Sequence, residues 1–295
     1  MFDLLAIRWS VDPVLIHLGP IGLRWYSLLF VSGFIIGWFI FRHYFRRESI
    51  SEALLDPLLY TLLIGTIVGA RLGHCIFYDP AYYFGSWKGF AEVFMPWKGG
   101  LASHGGTIML LLCMWWFARK YGPKNGFDML WLLDHLCIPV ALTGALIRLG
   151  NLFNSEIYGF ETTLPWGMIY ELRGETVPRH PTQMYESITY FLLFLVLTWL
   201  YEKKLDKMYR GTFIGIFFTV CFGVRFCIEF VKQTLVPWPE FTSLTMGQIL
   251  SIPFIIAGVC LVIYAYRKKI PARAIHPEPP KPEKKETHYA KSLVG

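Results

Sequence analysis

Apolar residues run along the chain in seven long stretches, and charged residues gather in the connections between them. The stretches span residues 21–41, 58–78, 101–117, 129–147, 184–200, 213–231 and 246–266. Each is long enough to cross, or nearly cross, a hydrocarbon layer about 30 Å thick. In lipid such a run must be helical, because no water is present to pair a free N–H or C=O. The pattern predicts an all-α polytopic membrane protein with about seven transmembrane helices. Residues 1–266 are expected to form one membrane domain, with 148–183 as a small extracytoplasmic head segment. The basic, Pro-rich residues 267–295 are expected to be a disordered cytoplasmic tail.

Composition sharpens this picture. Of the 295 residues, 54% are hydrophobic and only 17% charged, and the mean hydropathy is +0.42. That balance argues against an ordinary soluble globule, a disordered chain and a nucleic-acid module. The net charge of +7 has a topological source. Arg42, Arg46 and Arg47 follow the first span; Arg119, Lys120 and Lys124 the third; Lys203, Lys204, Lys207 and Arg210 the fifth. With the tail, these alternate connections hold 18 of the 28 basic residues. The opposite connections hold Lys88, Lys98, Arg173 and Arg179. The positive-inside rule then places the N-terminus outside and the C-terminus in the cytoplasm. The first apolar run is too long for a signal-peptide core and is read as a retained span. The six cysteines show no C-x-x-C spacing, so they read as small buried hydrophobes.

Charge at membrane depth is the informative anomaly, since each such residue costs roughly 2.5–3.5 kcal/mol at a helix centre. Arg71 and His74 share one face of the second span. Asp134 and His135 lie within the fourth, and Arg148 closes it. Glu186 opens the fifth, and Arg225 and Glu229 are spaced to pair along the sixth. Asp134 suits either a direct role or the structural one of holding an arginine or a backbone amide, and His135 reads as a packed histidine. Gly65, Gly69 and Gly73 form a small-residue face on which another helix can pack. Three polar runs fall on one side of the membrane: Ser103-His104-Gly105-Gly106, the segment from Arg148 to Gly159, and Arg179-His180-Pro181-Thr182-Gln183-Met184-Tyr185-Glu186. The glycines after His104 would let a ligand approach the backbone, and a histidine can move a proton near neutral pH. Arg148 and Arg225 near a lipid interface can clamp a phosphate, and lipid head groups are the phosphates available there. No metal-ligand spacing, G-x-S-x-G elbow or nucleotide-binding glycine pattern occurs.

These residues resemble the prolipoprotein diacylglyceryl transferase family over nearly the whole chain, from Leu23-Arg24-Trp25-Tyr26 to Met246-Gly247-Gln248-Ile249-Leu250-Ser251-Ile252-Pro253. The family signature G-R-x-G-N-F-x-N-x-E-x-x-G reads here Ile147-Arg148-Leu149-Gly150-Asn151-Leu152-Phe153-Asn154-Ser155-Glu156-Ile157-Tyr158-Gly159. Ile147 replaces Gly and Leu152 replaces Phe, both non-polar changes. The resemblance implies transfer of an sn-1,2-diacylglyceryl group from phosphatidylglycerol to the lipobox cysteine thiol of a preprolipoprotein signal peptide. A thioether forms and glycerol phosphate leaves. It further implies a bacterial inner-membrane location, no cofactor and no metal. Carried over by motif, His104, Arg148 and Arg225 are the catalytic residues. Tyr26, Asn151, Asn154, Glu156, Gly159, Asp134 and Glu229 match positions that contact substrate. His104 could be a general base or an orienter of the lipid. A transporter or flippase for an anionic lipid is the rival class, as the same arginines would then line a path across the membrane. A non-catalytic scaffold is a third.

Overall fold

A computed structural model describes residues 6–18, 21–95, 98–233 and 244–276. In chain order the elements are β1 (Ile7–Trp9), β2 (Val14–Leu18), β3 (Ile21–Arg24), α1 (Trp25–Arg47), α2 (Leu55–Phe77), α3 (Pro80–Gly85), α4 (Trp87–Val93), α5 (Ser103–Asn125), α6 (Met129–Phe153), β4 (Met168–Tyr170), α7 (Thr182–Lys204), α8 (Thr212–Ile228) and α9 (Met246–Lys268). The chain is a mostly helical membrane protein, and each predicted apolar stretch lies largely within one long helix. Five of these helical segments, Trp25–Arg47, Glu52–Phe77, Met129–Phe153, Thr182–Lys207 and Met246–Lys268, are long and apolar enough to cross a bilayer. Helix α8 is apolar but shorter. Helix α5 is diluted by Ser103 and His104 at its start and by Arg119 and Lys120 near its end.

Helix α6 is the axis of the fold. Its apolar stretch is 56% buried, against 17–28% for the other four. It packs on α1, α7 and α8, while α2 pairs with α5 and α8 with α9. The glycine face packs as its spacing suggests: a Cβ on Gly69 would come within 2.6 Å of the Gly105 carbonyl oxygen, and one on Gly73 within 2.6 Å of the Gly105 Cα. Small residues thus bring two backbones into contact, which favours association where lipid offers no hydrophobic drive. A similar contact joins Gly215 and Gly258 between α8 and α9.

Two boundaries differ from expectation. Residues 21–24 are not helical; they form β3, antiparallel to β2, and the helix begins at Trp25. The chain past α9 does not leave the fold at residue 267. Ala272 and Ala274 are buried, and Ala272 N–H donates to Met208 O at 2.9 Å. A backbone segment with unpaired polar groups finds partners there that water would otherwise supply. The rest of the predicted tail, from residue 277 on, lies outside the described residues.

The connection 154–181 folds back on the end of α6. Strand β4 pairs parallel with β1, and Leu152, Met168 and Tyr170 form a small core with Trp9, Tyr158 and Met184. Trp9 Nε1 donates to Leu152 O at 3.0 Å, tying the N-terminal strand to the helix end.

Candidate active site

The C-terminal end of α6, the N-terminal part of α7 and the C-terminal end of α8 bring charge together under this cap. Arg148 Nε lies 2.5 Å from Glu186 Oε2, and the Glu186 side chain is only 1% exposed. Lys232 Nζ reaches Glu186 Oε1 at 3.4 Å and Glu229 Oε2 at 4.0 Å. A carboxylate this buried would be costly alone, and two cations hold it. Burial lowers the Lys232 pKa; the two glutamates oppose this, and the charges of Arg148 and Arg225 add to it. Backbone pairing fixes Lys232 in place, because it bridges to Gly159. A Cβ at Gly159 would come within 2.2 Å of the Val231 carbonyl oxygen. Glycine is therefore demanded by close chain approach.

Arg225 makes no hydrogen bond or ion pair among the described residues, yet Tyr190, Cys221 and Lys232 each interact electrostatically with both Arg225 and Arg148. Both arginines are thus within electrostatic reach of the same three groups. The expected pairing of Arg225 with Glu229 is not formed among the described side chains. Glu229 caps the end of α8 and turns toward α9, where a Cβ on Gly247 would meet its carboxylate at 2.4 Å. Its Oε2 is buried without a hydrogen bond among the described residues.

The signature folds on itself. Arg148 Nη1 donates to Asn151 Oδ1 at 3.4 Å. Asn151 and Asn154 donate to Glu156 Oε1 at 2.8 and 3.2 Å. Ser155 and Ile157 hold φ values of 52° and 61°, a region that side-chain-bearing residues, and β-branched ones most of all, rarely adopt. Gln183 Nε2 donates to Glu156 O at 2.6 Å and Thr182 Oγ1 to Ile157 O at 2.7 Å. Those bonds hold the strained turn, a kind of strain that clusters at functional sites. Tyr26, half-buried, packs on Gly150, where a Cβ would come within 2.8 Å of its ring.

Two expected site residues lie elsewhere. Asp134 is fully buried and accepts from Gly211 N at 2.6 Å and Ile214 N at 2.9 Å. Its carboxylate satisfies the free amides at the start of α8. About 21 Å of helix, at 1.5 Å per residue, separate it from Arg148, and both of its oxygens are taken by α8. His104, exposed, packs its ring on Phe77 and Tyr78 with centroids 5.4 and 5.7 Å away, and among the described residues it makes no hydrogen bond or ion pair with the α6–α8 cluster. Gly105 serves α2, not a ligand, since a Cβ there would strike the Gly69 carbonyl oxygen at 2.4 Å. The sequence named Glu186 and Gln183 in one polar run without placing either among the site residues, and Lys232 was missed. Only the fold shows that Glu186 meets Arg148, though its charge at the head of a span was a usable signal.

Among known proteins, a family model described as prolipoprotein diacylglyceryl transferase matches residues 13–264. The chain belongs to the prolipoprotein diacylglyceryl transferase family. A phosphatidylglycerol–prolipoprotein diacylglyceryl transferase of Tolumonas auensis is 43% identical over 261 residues, covering 88% of this chain and 98% of that one. One of Porphyromonas gingivalis is 43% identical over 279 residues, covering 90% and 96%. One of Cupriavidus pinatubonensis is 35% identical over 275 residues, covering 90% and 95%. Signature residues Arg148, Asn151, Asn154, Glu156 and Gly159 all fall at the buried cluster, whereas His104 stands on a separate helix pair.

Proposed function

We propose that this chain transfers a diacylglyceryl group from phosphatidylglycerol to the lipobox cysteine of a prolipoprotein. The observation that carries the reading is the ion-pair cluster of Arg148, Glu186 and Lys232 at the end of the helices, with Arg225 in electrostatic reach of Lys232. A cavity of about 330 Å³ lined by α1, α2, α5 and α6 reaches Ile147, the neighbour of Arg148, and its walls are almost wholly apolar. Acyl chains suit such walls and a phosphate suits the cations beyond them.

The cysteine thiolate attacks the glycerol carbon that bears the phosphate. The S–C bond forms, the C–O bond breaks, and its electron pair leaves with glycerol phosphate. Negative charge grows on that leaving group, and preorganised guanidinium groups stabilise it without exchanging protons. Lys232 adds a third cation whose position Gly159 fixes. Glu186 keeps Arg148 aimed, and Asn151, Asn154 and Glu156 keep the signature turn closed. His104, exposed between aromatic rings at the start of α5, contacts the incoming substrates. All seven long helices cross the bilayer in this reading. The arginine cluster and its cap face outside, and the basic connections face the cytoplasm.

Incubation of purified protein with phosphatidylglycerol and a lipobox peptide is expected to yield a peptide heavier by one diacylglyceryl thioether. No such product, with folded protein and both substrates present, rejects the reading. A loss of the acidic limb of the pH–rate profile in His104→Gln marks a base; an unchanged profile with raised KM marks an orienter.

A further inference from the structure

Arg71 lies in α2, 3% exposed, and no described carboxylate pairs with it. Its guanidinium is spent on main-chain oxygens. Nε donates to Val93 O at 3.2 Å, Nη1 to Gly99 O at 2.6 Å and Gly100 O at 3.2 Å, and Nη2 to Glu92 O. The Tyr83 ring covers the group, 4.9 Å from centroid to Cζ. Burying a guanidinium without a counter-ion is expensive, and here it draws the end of α4 and the turn at 99–100 onto α2. That turn is left-handed, with Gly99 at φ 88° and Gly100 at φ 72°. A Cβ on Gly100 would come within 2.6 Å of the His74 ring and 2.8 Å of Arg71 Nη1. Next, Ala102 N–H donates to Ala70 O at 2.9 Å, and α5 starts at Ser103. His104 follows, and Gly105 then locks against Gly69 and Gly73. The histidine is gripped on both sides, by a packed helix after it and by an arginine-held turn before it.

We propose that Arg71 is a positioning residue that sets the turn before α5 and, through it, the place of His104. This rests on the reading that His104 contacts the substrates. Four carbonyls are gathered by one planar group with five donors, which a lysine ammonium cannot span. Small misplacement of a reacting group costs large factors in rate.

The test measures kcat, KM and the thermal midpoint in detergent for Arg71→Lys, Arg71→Ala, His104→Gln and the Arg71→Lys/His104→Gln double variant. Arg71→Lys is expected to lower kcat about tenfold to a hundredfold, with KM for phosphatidylglycerol within about twofold. Added guanidinium is expected to restore part of the rate of Arg71→Ala. In the double variant the lysine should cost less than about twofold beyond His104→Gln, because both changes act through one group. A normal kcat in Arg71→Lys, or losses that multiply in the double variant, overturns the proposal. If the Arg71 variants do not fold, Gly100→Ala disturbs the same turn with the arginine kept; the same kcat loss supports the proposal and a normal kcat overturns it. Wild-type kinetics in His104→Gln alone fails the reading of His104 and is seen without any Arg71 variant.

Discussion

The two ends of the helical bundle both bury charge, and they treat it differently. At the end formed by the C-terminus of α1 and the N-termini of α6 and α8, the buried charges Glu48 and Arg210 are closed off. Glu48, 2% exposed, accepts from His135 Nε2 at 2.6 Å, Trp131 Nε1 at 2.9 Å, Tyr201 Oη at 2.9 Å and Ala274 N at 2.6 Å. Arg210 donates to Asp128 at 2.6 Å and to the carbonyls of Gly126, Pro271 and Arg273. At the opposite end Arg225 has no such partner among the described residues, Glu229 Oε2 accepts no hydrogen bond among them, and Lys232 is held at 3.4 and 4.0 Å from its carboxylates. A fully satisfied polar network fixes packing; the Arg225 guanidinium, unpaired among the described residues, leaves donors that suit an anion. Buried charge alone therefore does not mark function. What distinguishes the site is charge with hydrogen-bonding capacity to spare.

This contrast can be broken by mutation. Arg148→Ala should have the largest effect, because it removes the proposed phosphate contact and leaves Glu186 with Lys232 alone. Transfer should fall by about 10²–10³ or more, and stability by about 3–5 kcal/mol, read as product formation and thermal midpoint. Arg225→Ala should lose a similar factor in rate, yet keep its midpoint, since no described group depends on it. Arg225→Lys should also fail if the planar fork is needed. Glu48→Ala is the mirror image: about 3–5 kcal/mol of stability lost, with normal rate per folded molecule. Equal rate losses at both ends would erase the distinction.

Smaller effects sharpen it. Asp134→Ala should cost about 1–3 kcal/mol by freeing the amides of Gly211 and Ile214, with transfer kept; a selective loss of rate would return Asp134 to the site. Acid should act on the Glu48 end as well. Burial alone would raise the Glu48 pKa, but the charge of His135 and the bonds from His135, Trp131 and Ala274 outweigh it and hold the carboxyl at about 2, below its ordinary 4.5. A carboxyl lowered on folding adds stability that is complete above pH 4.5 and lost as pH falls toward 2, about 3 kcal/mol in all. Midpoints measured across that window should fall for the native chain and fall less for Glu48→Gln.

Much of the frame was legible along the chain. Apolar runs of span length leave helix as the one option in lipid, and the four-residue glycine spacing marked the face on which α5 packs. Residues 21–24 were misread because apolar content cannot separate a short strand from the start of a helix. Asp134 and Arg148 look alike in sequence, both ionisable and both in one span. Only packing shows that one caps a neighbouring helix and the other meets Glu186. Arg71 was legible as an anomaly, but its partners are carbonyl oxygens, which every residue owns and no sequence advertises.

Sequence by itself determined that this chain is a helical membrane protein and which polar runs carry the family signature, because hydrophobic length and local spacing are properties of the chain. Tertiary structure decided which buried charges are spent on holding the fold and which remain for chemistry. That division depends on distances between helices far apart in sequence, and a carboxylate's role is set by the donors that reach it.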